Sequence, residues 1–283
     1  MKPEIADVPG PTLSVSVPRS FDLTALAALA ILTLRQNLRG RRLLILSLLF
    51  LLPSVLAVIV RLADSPPPPE VPEFWFILVL IPHAMITLTT LLYAAGSIQD
   101  EVEEQTLTYL LTRPLPRWAL YVTKLGVTWL VTTLLTALFT TLTYAVIYWN
   151  TPDLWGDVLP VRAAKTAALM ALMQASYCSA FGFVGLATRR SLIAGIVYIV
   201  AFEGLLANIE WVVRRLTVMY YFRVLTVRWL QPQGSQAWSI DLTLAPSAGE
   251  CVLTLLGVSA ALMLLGAVMM MQREFRMKTP EGS

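Results

Sequence analysis

The chain carries one histidine and two cysteines in 283 residues. Cys178 and Cys251 fall in or beside different apolar runs. They form no metal or redox spacing and read as small apolar residues. His83 stands alone, with no cluster of His, Asp and Glu around it in the sequence. Neither a catalytic triad nor a metal set can be assembled, which argues against an intramembrane hydrolase. No Gly-Lys dipeptide occurs, so the P-loop pattern of a nucleotide-binding protein is not met. Charge is also scarce. Only 14% of residues are Asp, Glu, Lys or Arg, against about 25% in soluble domains. The net charge of +3 is too small to suggest a nucleic-acid partner. The first twenty residues hold Pro3, Pro9, Pro11 and Pro18 and no apolar core, a composition that excludes an ordinary cleaved signal peptide there. No internal repeat is visible.

What is abundant is apolar surface. The hydrophobic share is 57%, and a soluble fold of this length could not bury it, so lipid is the solvent the sequence calls for. A spanning helix needs roughly 20 mostly apolar residues. Six segments qualify: about Leu43–Leu62, Phe74–Ala95, Leu120–Tyr148, Ala163–Ala187, Leu192–Trp211 and Cys251–Met271. The segment Asp22–Leu34 is apolar but amounts to only ~20 Å of helix, too short to span. It leads into Arg35, Arg39, Arg41 and Arg42 and reads as an interfacial helix that turns at Gly40 into the first span. The expectation is an all-α polytopic membrane protein. Residues 1–42 form an N-terminal arm with the interfacial helix, 43–271 a six-span domain, and 272–283 a tail.

Lys and Arg set the orientation. The N-terminal arm, the segment after the second span, the Arg189-Arg190 turn and the tail with Arg273, Arg276 and Lys278 hold about two thirds of the 21 basic residues. That side is expected to be cytoplasmic, with both termini inside. The opposite side has short loops, including the stiff ADSPPPPEVPE. It also has one long connection before the last span, which carries Arg214, Arg215, Arg223 and Arg228. These are too charged for free exposure to lipid. The start of that connection is helical in pattern, and one or two half-helices dipping back from the outer surface are expected.

Polar residues inside the spans form two further groups. His83, Thr87 and Thr90 share one face of the second span. Thr128, Thr132, Thr136, Thr140 and Thr143 form a stripe on the third, and Gln174 lies in the fourth. Such residues let helices approach and hydrogen-bond, or part of this surface lines a substrate path between two copies of the chain. Glu203, in YIVAFEGLL, is costly as an ion at mid-span, so it is expected to be protonated, paired or wet. Its possible partners include His83 and the arginines of the long connection. The choice between a gating role and a buried hydrogen bond that holds the fifth span stays open.

The densest charge lies in QDEVEEQTLTYLLTRPLPRWALYVTK, Gln99–Lys124. Between Asp100 and Thr112, Val102, Thr106, Tyr109 and Leu110 cluster on one side of a helix. Glu101, Glu104, Gln105 and Thr108 cluster on the other. Carboxylates at the start suit the helix dipole, and Pro114 and Pro116 end the helix. Trp118 and Tyr121 are expected at headgroup depth, with Lys124 snorkelling from the start of the third span. This is a short helix on the cytoplasmic membrane surface, facing water or another protein.

The run Asp100, Glu101, Glu103, Thr106, Leu107, Leu110, Leu111, Arg113, Pro114, Arg117 and Lys124 resembles the signature after the second span of type-2 ABC (ATP-binding-cassette) transporter permeases. The six-span order, the basic pre-span helix and the long last outer loop resemble that family too. Gln105 departs from it, standing where the family usually has Gly. The resemblance implies a coupling helix that docks on a separate cytoplasmic ABC ATPase, with Asp100, Glu101, Glu104, Thr108, Arg113 and Arg117 as coupling residues. It also implies that ATP and Mg are bound by that partner and not by this chain, and that a second permease copy completes a homodimer in a bacterial-type inner membrane. Export of an unidentified substrate is the expected activity. The alternative is an ATP-driven mechanical transmitter to an extracytoplasmic partner.

Overall fold

The computed structural model describes residues 23–39, 41–97, 116–151, 155–156, 158–188, 190–208 and 212–272. Among these, every regular element is helical. Helix α1, Leu23–Arg39, is followed at once by α2, Arg41–Arg61. The expected turn at Gly40 lies outside the described residues. Helix α1 keeps Leu29 and Thr33 buried and Ile31, Leu32 and Leu38 exposed. That one-sided pattern suits a helix with one face on the bundle and one toward lipid.

The next helices are α3, Glu70–Ala95, α4, Arg117–Ile147, and α5, Val158–Ala187. After them come α6, Ser191–Leu205, α7, Val218–Leu230, and α8, Ala248–Gln272. Helices α2, α3, α4, α5 and α8 are long and apolar enough to cross a membrane. Helix α6 occupies the expected fifth span but is shorter, and short 3-10 turns over Leu206–Asn208 and Val212–Leu216 follow it. Helix α3 starts earlier than hydropathy predicts, because Glu70 and Glu73 enter its first turns. Carboxylates are favoured there by the helix dipole.

Much of α3 is wound as a π-helix, over Glu73–Ile86 and again over Leu91–Ala95. Pro82 lies inside the first stretch. It has no N–H to donate, and its ring would strike the carbonyl one turn back in a regular α-helix. Thr87 and Thr90 return their hydroxyls to the carbonyls of His83 (2.6 Å) and Ile86 (2.7 Å).

The core is built around α5, which packs along α4, α8 and α7. Small residues set the spacing. A Cβ on Gly266 of α8 would lie 2.2 Å from the Tyr121 hydroxyl of α4. One on Gly185 of α5 would lie 3.0 Å from the backbone of Ala95 in α3. The exposed side chains of α2, among them Leu44, Ile45, Leu48 and Ile59, form a lipid-facing surface.

The half-helix expected before the last span is α7, capped by Thr217, whose side chain accepts from Tyr220 N. Met219, Phe222, Val224 and Leu225 are fully buried. Its arginines find backbone carbonyls. Arg228 donates to Pro246, Leu242 and Ala245 at 3.1–3.2 Å. Arg214 donates to Ser239 and lies over the Tyr220 ring, and Arg215 donates to Leu244. Guanidinium groups absorbed by loop carbonyls explain how a segment so basic packs against apolar helices.

Candidate functional site

Three polar constellations occupy different levels of the bundle. The first lies where α3 ends and α4 begins. The ammonium of Lys124 is 2% exposed and donates to the Ser97 carbonyl at 3.0 Å. Tyr121 is fully buried. Both are taken up inside the bundle, Tyr121 against Gly266 of α8, while Trp118 in the same turn is 37% exposed. A lysine at the carbonyl end of a helix is favoured by the dipole. Lys124 therefore ties the end of α3 to the start of α4. The described chain stops at Ser97 and resumes at Pro116 on either side of the acidic segment. Asp100, Glu101, Glu104, Thr108 and Arg113 lie outside the described residues, and Arg117 opens α4.

The second constellation is at mid-bundle. Gln174 of α5 donates to the Thr136 hydroxyl at 2.7 Å and to the Thr132 carbonyl at 3.3 Å, and accepts from Thr133 at 2.9 Å. Thr132, Thr136 and Gln174 are 0–1% exposed. The stripe continues with Thr140 against the Met170 sulfur and Thr143 against Ser54. In this structure the threonine face of α4 is taken up by helix contacts within one chain.

His83 and Glu203 both meet α7, on different residues. The His83 Nδ1 lies 2.9 Å from the Val79 carbonyl, which can only accept, so Nδ1 carries the proton. The Nε2 atom is then an acceptor, and Arg223 donates to it at 2.6 Å. A second Arg223 nitrogen donates to the Ala207 carbonyl. Glu203 is 3% exposed. Its carboxylate accepts from Val218 N at 3.3 Å, Met219 N at 3.2 Å and the Tyr198 hydroxyl at 3.3 Å. With Thr217 taking Tyr220 N at 3.3 Å, three orphan donors of the α7 N-terminus are satisfied. A carboxylate here also meets the positive end of the helix dipole. Glu203 is paired, by a helix N-terminus. No salt bridge joins it to His83 or to an arginine among the described residues.

The third constellation, at the opposite end from Lys124, was missed from sequence. Glu73 is 1% exposed and accepts from Arg162 Nε at 2.6 Å, Tyr144 at 3.1 Å and Tyr148 at 2.5 Å. The Tyr144 hydroxyl also pairs with Thr166 at 2.9 Å. This joins α3, α4 and α5 at one end. Hydropathy places Glu73 and Arg162 just outside their spans, as loop residues. The available signal was opposite charge at the same end of neighbouring spans, with two tyrosines four residues apart on the third.

The family described as ABC-2 family transporter protein matches residues 36–203, more than half of the chain. No curated protein matches the chain.

Proposed function

The chain belongs to the ABC-2 family of transporter proteins and is the membrane-spanning permease component of an ABC transporter, and we propose that it couples ATP hydrolysis by a separate ATPase subunit to export of a substrate. The observation that carries this is the extent of the family match. It covers the first spans and the whole of Gln99–Lys124 in one piece. The Lys124–Ser97 contact adds support, because a segment rooted at a braced helix junction can pass displacement to α3 and α4 together. In this reading Asp100, Glu101, Glu104, Thr108, Arg113 and Arg117 face the ATPase. ATP and Mg are held by that subunit, and two copies of this chain form the pathway.

The chain is a multi-pass membrane protein. We place it in the inner membrane with both termini and the acidic segment in the cytoplasm, on the bias of Lys and Arg. Single-cysteine labelling tests the orientation. Ser65→Cys is expected to react from outside and Thr108→Cys only after permeabilisation, and the reverse pattern refutes it.

The function is tested in sealed vesicles that hold the permease with its co-purified ATPase. ATP-dependent flux of a candidate substrate supports export. Stimulated hydrolysis with no flux for any substrate class favours the mechanical transmitter. An isolated chain that binds and hydrolyses ATP by itself overturns both.

A further inference from the structure

Beside the Glu73 cluster lies a cavity of about 250 Å³ lined by Glu70, Tyr148, Val158, Leu159, Arg162, Gln231 and Gln233. That is smaller than the roughly 300–1,000 Å³ of pockets for drug-sized ligands, which suits a compact polar group. The wall carries both signs of charge. Arg162 gives only its Nε to Glu73, and its side chain remains 27% exposed. Its Nε is held by a carboxylate that two tyrosines fix in place, and its terminal nitrogens make no hydrogen bond among the described residues. A guanidinium held this way is a pre-set fork for a phosphate. Glu70, one turn before Glu73 on α3, is half-buried, and its side chain makes no hydrogen bond or ion pair among the described residues. It is an open acceptor for a donor cation.

The surroundings fix the depth. Trp75, Trp149 and Trp155 are 55%, 73% and 41% exposed at this end of the bundle. Exposed tryptophans of this kind gather at the membrane–water boundary. At the cavity wall, Val158 and Val161 of α5 are 52% and 54% exposed, and the next turn on that face carries exposed Ala164 and Lys165. The cavity therefore has a cationic fork, a free carboxylate and two amide side chains at headgroup depth, with two exposed valines at its wall.

We propose that this cavity binds a phosphate–ammonium zwitterion, the headgroup chemistry of an aminophospholipid, with Arg162 taking the phosphate and Glu70 the ammonium. The acyl chains run along Val158 and Val161. The site does not include His83 or Glu203, and it stands whether or not the chain exports anything.

Native mass spectrometry of the full permease assembly tests it. The protein is exposed to phosphatidylethanolamine, phosphatidylcholine and phosphatidylglycerol of one acyl composition. Preferential retention of phosphatidylethanolamine is expected, because phosphatidylglycerol lacks the ammonium and phosphatidylcholine has no N–H to donate. Glu70→Gln is expected to lower the preference over phosphatidylglycerol about tenfold, the scale of one charge-assisted hydrogen bond. The Glu70 side chain makes no hydrogen bond or ion pair among the described residues, so this variant is expected to fold. Arg162→Lys keeps charge opposite Glu73 and loses the fork, so it is expected to weaken retention of every phospholipid at this site. Glycerophosphoethanolamine without acyl chains serves as competitor. Displacement identifies the free zwitterion as sufficient, and failure to displace identifies the lipid form. Equal retention of the three lipids by the wild type, or a preference unchanged in Glu70→Gln, overturns the proposal.

Discussion

At the scale of single residues, the sharpest contrast is between two buried acids that find different partners. Glu203 meets backbone donors at a helix start, and Glu73 meets an arginine and two phenols. Their substitutions are expected to behave differently. Glu203→Ala leaves two buried N–H groups without acceptors, at a cost on the order of 1–3 kcal/mol. Glu203→Gln still offers one amide oxygen, so its loss of stability is expected to be less than half as large. Thermal unfolding in mild detergent compares the two, and equal losses would show that the carboxylate does not cap α7. Glu73 belongs to a pair. Glu73→Gln or Arg162→Met alone strands a partner, which is expected to cost about 2–3 kcal/mol after allowance for the partly exposed guanidinium. The double variant is expected to cost less than the sum of the two singles. A double-mutant cycle reads this directly, and strict additivity would mean that the pair contributes nothing.

At the scale of elements, close approach of backbones decides where helices can sit. Gly185 lies on the backbone of Ala95, and backbone cannot swing aside as a side chain can. Gly185→Ala is therefore expected to destabilise the α3–α5 contact by about 1–3 kcal/mol, as overpacking does. Gly126→Ala, where a Cβ meets nothing within 4 Å, is the control and is expected to be neutral or mildly stabilising. Equal unfolding temperatures for the two would refute this account of the spacing. The same elements show how much was legible beforehand. Long apolar runs located α2, α3, α4, α5 and α8, because lipid demands length and apolarity together. The half-helix before the last span was also legible, from its pattern. Other features were not. Hydropathy weighs residues singly, so it set Glu73 and Arg162 outside their spans and could not see that they meet. The threonine stripe was visible, but its neighbour was not. Only the packing of α4 on α5 shows that Gln174 takes it up. The cap on α7 by Glu203 joins residues 15 and 16 positions apart across a turn, and no periodicity encodes that.

At the scale of the whole molecule, the bundle has a braced end at Lys124, a mid-level where α7 is held by His83 and Glu203, and a clamped end at Glu73. A displacement applied beside Lys124 reaches α3 and α4 at once, since the Lys124–Ser97 contact joins them. In the proposed function that displacement comes from an ATPase docked on the acidic segment. Glu101 and Glu104 share one face of the helix the sequence predicts there, and Arg113 and Arg117 follow it. Glu101→Lys with Glu104→Lys places like charge where opposite charge is expected, at a cost of several kcal/mol for a close-set interface. The same change on a helix that faces only water costs far less, within about 0.5 kcal/mol. The double variant is expected to insert in normal amount and keep its unfolding temperature, because the clamps at Glu73 and Glu203 lie in other parts of the bundle. It is expected to lose the ATPase in a mild-detergent pull-down, or to retain it without substrate-stimulated hydrolysis. Restoring the interaction by a compensating acidic substitution on the ATPase would locate the contact. Full co-purification together with normal stimulated turnover would show that the acidic face is only solvated, and coupling would then have to pass through another surface.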